Sequence, residues 1–116
     1  MIRVLIVNDQ EMTRKVINLA LKQVSDIVII GEANNGLDAV SFVAKDQPDV
    51  VVMDFRMPFM DGLEATAHII KSWPHVKVII HSMSGVSRQA GKAVGASEVL
   101  RSYDSMKKLQ TAVLNA

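Results

Sequence analysis

The chain has 116 residues, 49% of them apolar, with 13 basic and 12 acidic side chains and no cysteine. One domain of this length can bury a core unaided, so disorder, a disulfide framework and a thiolate metal site are excluded. The net charge of +1 comes with scattered basic residues, which gives no basis for direct nucleic-acid binding. The apolar runs are far shorter than a bilayer span, and Met1–Leu5 lacks the three-part layout of a secretory signal. We therefore expect a cytoplasmic protein with no membrane partner.

Taken in chain order, the first apolar run is Ile2–Val7, followed by a segment with Met12, Val16, Leu19, Ala20 and Val24 at helical spacing. The run Ile27–Ile30 precedes a second such segment with Leu37, Val40 and Ala44. Val50–Met53 precedes Leu63, Ala67, Ile70 and Trp73. Val76–Ile80 precedes a weaker helix around Ser87–Val94, where Gly91 interrupts an alanine-rich face. A short run at Val99-Leu100 leads to a last helix with Met106, Leu109, Val113 and Ala116 on one side. The runs are Val/Ile-rich and continuous rather than alternating, the signature of strands buried on both faces. Five β-α units of this kind predict an α/β fold: a five-stranded parallel sheet, doubly wound, (βα)5, flavodoxin-like, with helices on both faces. We expect residues 1–116 to form a single domain.

Open sheets of this type bind ligands at the carboxyl ends of their strands. The first strand ends Val7-Asn8-Asp9, the third Met53-Asp54, the fourth His81-Ser82, and the fifth near Arg101-Ser102. If strands one and three are neighbours, Asp9 and Asp54 meet, and two carboxylates at close range require a proton or a cation between them. An all-oxygen set with few protein ligands suits Mg²⁺, and the Ser82 hydroxyl can donate to a phosphoryl oxygen. Aspartate is also a favoured helix cap, and for Asp9 alone capping is the default. That default is weaker for Asp54, because Phe55–Gly62 forms a loop held by Pro58 and turned at Asp61-Gly62.

The stretch Asp49–Thr66, with Asp54, Met57-Pro58 and Asp61-Gly62, resembles the phosphorylation loop of the receiver domain of two-component response regulators. Val4–Asp9 resembles the acidic end of that family's first strand, Gly31–Val40 its second strand and helix, and Gly95-Ala96 the turn before its fifth strand. The resemblance spans nearly the whole chain and is strongest to receivers that precede a helix-turn-helix output domain. It implies that Asp54 is the phosphoacceptor and Asp9 a direct Mg²⁺ ligand beside Asp54. The Arg56 backbone carbonyl would also bind the metal, and Ser82 would be the switch hydroxyl that contacts the phosphoryl group. The implied activity is Mg²⁺-dependent self-phosphoryl transfer from a sensor histidine kinase or a small phosphodonor, not turnover of a substrate. The implied partners are that kinase and a C-terminal DNA-binding domain outside this chain, with homodimerisation left open.

Three positions depart from the family pattern. Asn8 stands where a second acid is usual, so it could reach a metal only through water and Mg²⁺ affinity should fall. Ser102 falls on the position of the family's active-site lysine. Arg101 is adjacent, but a one-residue shift on a strand points the other way. Tyr103 follows where proline is common, which predicts a trans Ser102-Tyr103 bond. Val99 replaces the switch aromatic, and the stretch from Ser82 to Gly95 is short, which predicts a trimmed fourth helix. These changes raise an alternative: a degenerate receiver that acts as a phosphorylation-independent protein-interaction module. A hydrolase on the same fold is disfavoured, because Arg56 stands where an acid-base residue would follow Asp54.

His68, His75 and His81 are scattered, and the default for them is a surface or strand-end role rather than a zinc site. Met57 and Met60 flank Pro58 and Phe59, where an exposed apolar patch and a core contact are equally expected. Gly31–Gly36 lacks the spacing of a dinucleotide fingerprint.

Overall fold

The structure, a computed structural model, describes residues 1–83, 85–101 and 104–116. Strands and helices alternate as β1 (Ile2–Val7), α1 (Glu11–Lys22), β2 (Ile27–Ala33), α2 (Gly36–Asp46), β3 (Val50–Met53), α3 (Gly62–Ser72), β4 (Lys77–Ser82), α4 (Arg88–Ala93), β5 (Glu98–Arg101) and α5 (Met106–Leu114). The strands are all parallel, in the order β2-β1-β3-β4-β5. The chain moves outward from β1 to β2, then returns to place β3 on the other flank of β1. That reversal opens a crevice between the carboxyl ends of β1 and β3.

The continuous Val/Ile runs are explained by burial on both faces. Leu5, Val7, Val51, Met53, Val78 and Ile80 face one way, against Ala39 and Val43 of α2 and Ala65 and Ile69 of α3. Val4, Ile6, Val50, Val52 and Ile79 face the other, against Ile17 and Leu21 of α1 and Leu109 and Val113 of α5. Strands β2 and β4 extend past their apolar runs, to Ala33 and Ser82, because ladder pairing continues there regardless of side-chain polarity.

The helices exist where the periodicity predicts them, but three faces are rotated. In α1 the buried residues are Ile17, Ala20 and Leu21, while Met12 and Leu19 are 70% and 66% exposed. This helix carries two apolar stripes, and spacing alone does not say which one meets the sheet. In α2, Ala39 and Val43 are buried rather than Leu37 and Ala44. In α3, Ala65, Thr66 and Ile69 are buried, with Leu63, Ile70 and Trp73 only at the edge of the core. Small residues face the sheet there because helix and strand backbones approach closely. The last helix buries Leu109 and Val113 as its spacing predicts.

Four helices start on a side-chain cap: Asn35, Asp61, Ser87 and Ser105 accept from the N–H groups of Asp38, Glu64, Ala90 and Lys108. The helix α4 is only six residues long, the trimmed element that the short Ser82–Gly95 stretch predicts.

Candidate functional site

The crevice above β1, β3 and β4 is a cleft of about 210 Å³ lined by Asn8, Asp9, Gln10, Thr13, Asp54, Arg56, His81 and Met83. The Asp54 backbone N–H donates to the Val7 carbonyl at 2.9 Å, which ties the end of β3 to β1 and brings Asp54 beside Asp9. Capping does not account for Asp9: the N-cap of α1 is Gln10. Asp54 caps nothing either, since α3 starts on Asp61.

Asp54 is half-buried, and its carboxylate accepts from the Phe55 N–H at 2.8 Å and from the Ser82 hydroxyl. Burial pushes its carboxyl above the usual aspartate range. The two hydrogen bonds pull it back, and the nearby Asp9 charge pushes it up further. A carboxylate under this tension gains from a cation or from acquiring a new bond at oxygen.

The loop after Asp54 is closely determined. The Gly62 N–H donates to the Phe55 carbonyl at 2.7 Å, and a Cβ at Gly62 would collide with the Asp54 carbonyl oxygen. Only glycine permits that approach. At the tip, the Met60 N–H donates to the Pro58 carbonyl at 2.8 Å around Phe59, whose φ is 72°. This is a γ-turn of the rarer, strained kind. Phe59 is 82% exposed, whereas Met57 and Met60 pack against the core. The apolar side chain the loop offers to solvent is therefore Phe59.

Asn8 is buried, and its Oδ1 accepts from the Gln10 N–H at 2.9 Å in an Asx turn. Its backbone carbonyl accepts from Arg14 Nη1 at 2.7 Å. One lone pair of the Asn8 amide thus shapes the turn that presents Asp9. Among the described residues, no group of three His, Asp or Glu side chains is arranged to hold a metal. The Asp9 and Asp54 carboxylates on the cleft wall are hard oxygen donors of the kind that suit Mg²⁺. The guanidinium of Arg56 lies over the Phe55 ring, 5.6 Å from its centroid.

Ser102 and Tyr103, the positions of the missing lysine and of the bond expected to be trans, lie outside the described residues. Arg101 pairs with Ser82 across the ladder and is absent from the cleft lining; its Nη1 would lie 3.8 Å from a Cβ at Gly85. Val99 is buried and packs so tightly on α4 that a Cβ at Gly91 would collide with its Cγ2.

His81 is the residue the sequence reading undervalued. It is 3% exposed and lines the cleft, and neither ring nitrogen has a hydrogen-bond partner among the described residues. Burial lowers its pKa from the ordinary histidine value, with Asp104 pulling the other way. The signal was its place at the end of an apolar strand, next to Ser82.

A parallel sheet that reverses between β1 and β3, with a closely held loop presenting one acid beside another, is a doubly wound α/β arrangement with an acidic strand-end cleft. The chain belongs to the response regulator receiver domain family, whose model matches residues 4–113. It is 43% identical over 96 residues to the chemotaxis protein CheY of Listeria monocytogenes, covering 83% of this chain and 77% of that protein. A DNA-binding response regulator of the LuxR family from Staphylococcus aureus superposes with a TM-score of 0.92 at 27% identity, covering 99% of this chain and 98% of the other. The CheX-CheY-BeF3-Mg²⁺ complex from Borrelia burgdorferi gives 0.91 at 25% identity, covering 98% and 87%. The chain spans only 26% and 37% of the length of two other curated relatives. It is thus a receiver domain of two-component signal transduction, with the doubly wound fold of that family. Among its described residues, no helix is long and apolar enough to cross a membrane.

Proposed function

We propose that this receiver accepts a phosphoryl group on Asp54 and so switches an output domain or partner. The observation that carries the reading is the state of Asp54: half-buried, pressed by Asp9, hydrogen-bonded by Ser82, and presented by a loop locked through Gly62. One Asp54 oxygen attacks phosphorus in line; the donor's P–N bond (phosphohistidine) or P–O bond (a small phosphodonor) breaks, and its electron pair leaves with the donor. Asp9, Asp54 and the Arg56 backbone carbonyl would hold Mg²⁺, with Asn8 reaching it only through water. The ion would supply positive charge against the transferring oxygens. Ser82, already bonded to the carboxylate, would donate to the phosphoryl group instead.

The natural donor is a sensor histidine kinase in the cytoplasm. The partner switched is a DNA-binding output domain, a reading supported by the similarity to a DNA-binding response regulator of the LuxR family. No feature of the Asp54 loop favours a phosphorylation-independent module. To test the reading, the chain is incubated with acetyl phosphate and Mg²⁺ and its intact mass measured. The phosphoryl mass should be present on the wild type and absent from Asp54→Asn. An unmodified wild type would refute phosphoryl acceptance.

A further inference from the structure

A buried imidazole with no partner is costly, on the order of 1–3 kcal/mol for each polar group left unsatisfied. An apolar residue at position 81 would avoid that cost, since Ile79 on the same side of β4 sits in the core. The placement of His81 is also specific. Strand β3 pairs with β4 through Val52↔Ile79 and Met53↔Ile80, where the ladder ends, and one further step along both chains reaches Asp54 and His81. Side chains alternate along strands, and both residues continue the side occupied by Val52 and Ile79. Continued past the end of β3, that alternation sets the two residues on the same side of the sheet. Both line the cleft. Among the described residues, the donors that already reach the Asp54 carboxylate come from its own loop and from β4. The Phe55 N–H and Ser82 hydroxyl already hold the carboxylate, and Arg101 does not line the cleft.

We propose that His81 is a phosphoryl-binding residue: its ring N–H is a donor held unused in the cleft wall for an oxygen of the phosphoryl group on Asp54. This rests on the reading of Asp54 as phosphoacceptor and adds to it a residue outside the family pattern. The histidine keeps its proton throughout. The Asp54 oxygen–phosphorus bond forms, the donor's bond to phosphorus breaks, and the imidazole N–H donates a hydrogen bond to a non-bridging oxygen. Neutral and cationic imidazole both carry an N–H, so the contact exists in either protonation state. The donor also lies on the side of the sheet facing α1 and α5, opposite Val99 and α4. It would stabilise the modified state without needing a rotating aromatic on β5.

The test uses the whole chain with beryllium fluoride and Mg²⁺ as the phosphoryl analogue, and acetyl phosphate as the donor. In ¹⁵N spectra of the histidine rings, His81 should shift on adding beryllium fluoride while His68 and His75 do not. His81→Leu should weaken beryllium fluoride affinity and shorten the acyl-phosphate lifetime by about tenfold or more, the scale of one hydrogen bond to a charged group. It should melt no lower than the wild type. His81→Gln, which keeps an N–H donor, should recover part of both losses. If the wild type binds beryllium fluoride and Asp54→Asn does not, yet His81→Leu binds as well as wild type, this assignment fails and the Asp54 reading stands. A His81→Gln variant as impaired as His81→Leu would overturn the assignment, because it keeps the N–H donor. If the wild type takes neither probe, both readings fall.

Discussion

The loop after β3 and the segment after β4 leave the same edge of the sheet, yet they are built on different terms. The β3 loop is held by backbone: Asp54 to Val7, Gly62 to Phe55, Met60 to Pro58, with Asp61 capping α3. Little there depends on which side chain stands at Arg56 or Phe59. The β4 side is held by side-chain packing, with a six-residue α4 whose Gly91 is pressed onto Val99. Chemistry at Asp54 needs fixed directions, which backbone bonds supply. A switch surface needs two arrangements of similar energy, whereas Val99 is small, buried and packed against Gly91. The contrast teaches that two segments on one sheet edge can be fixed by different means, one by backbone bonds and one by side-chain packing.

The largest break in that contrast is Gly62→Ala. Its new Cβ would meet the Asp54 carbonyl, part of the backbone that carries the proposed phosphoacceptor. We expect a loss at or above the ~3 kcal/mol upper end for overpacking. Urea unfolding should show an earlier midpoint, and acetyl phosphate labelling should fall with it. A variant with near wild-type stability and labelling would show that the loop is softer than its hydrogen bonds imply.

On the β4 side, Gly91→Ala should cost about 1–2 kcal/mol despite alanine's better helix propensity, because Val99 occupies the space. The double variant Gly91→Ala/Val99→Ala should recover most of that loss. The coupling energy in a double-mutant cycle measures the contact directly. Additive effects would mean that α4 moves away freely, and that the Val99 contact does not lock this face.

Much of this architecture was legible in the chain, for physical reasons. Continuous Val/Ile runs imply strands covered on both faces, and Asp61-Gly62 announces both a cap and a close approach. Helix faces were less legible. In α1 two apolar stripes compete, and the sheet takes Ile17 and Leu21 while Met12 and Leu19 stay outside. Where a backbone must come close, as at Ala39 and Ala65, the contact falls to small residues that a search for large ones overlooks. The acids were found because strand ends converge in this topology. His81 was undervalued because a lone histidine at a strand end carries no spacing, and its burial in the same cleft as Asp54 is visible only in the fold.

A smaller effect concerns the stability cost of the β3 side. The Asp54 pKa is raised in the fold, chiefly by burial. Above the unfolded value of 3.8 the folded state therefore holds its proton longer than the unfolded state does. Stability falls as pH rises through that window and stays lower at neutral pH. Asp54→Asn should raise Tm at pH 7, on the order of 3 °C, and remove this slope. An unchanged Tm would mean that the Phe55 and Ser82 hydrogen bonds fully offset desolvation.

The smallest expected effect has the opposite sign and comes from the β4 side of the cleft. Burial lowers the His81 pKa below the ordinary 6.5, against a weaker pull from Asp104. Between the folded value and 6.5 the unfolded chain binds more protons, so stability rises with pH there. It is lost as pH falls below about 6.5. His81→Leu should flatten that part of the Tm–pH profile and leave the Asp54 slope in place. Asp104→Asn should steepen it, because it removes the carboxylate that favours the imidazolium. The two slopes belong to residues that line one cleft, so a double variant, Asp54→Asn/His81→Leu, tests their independence. If the single-variant effects fail to add, the carboxylate and the imidazole already interact before any phosphoryl group arrives, and the donor is not held unused.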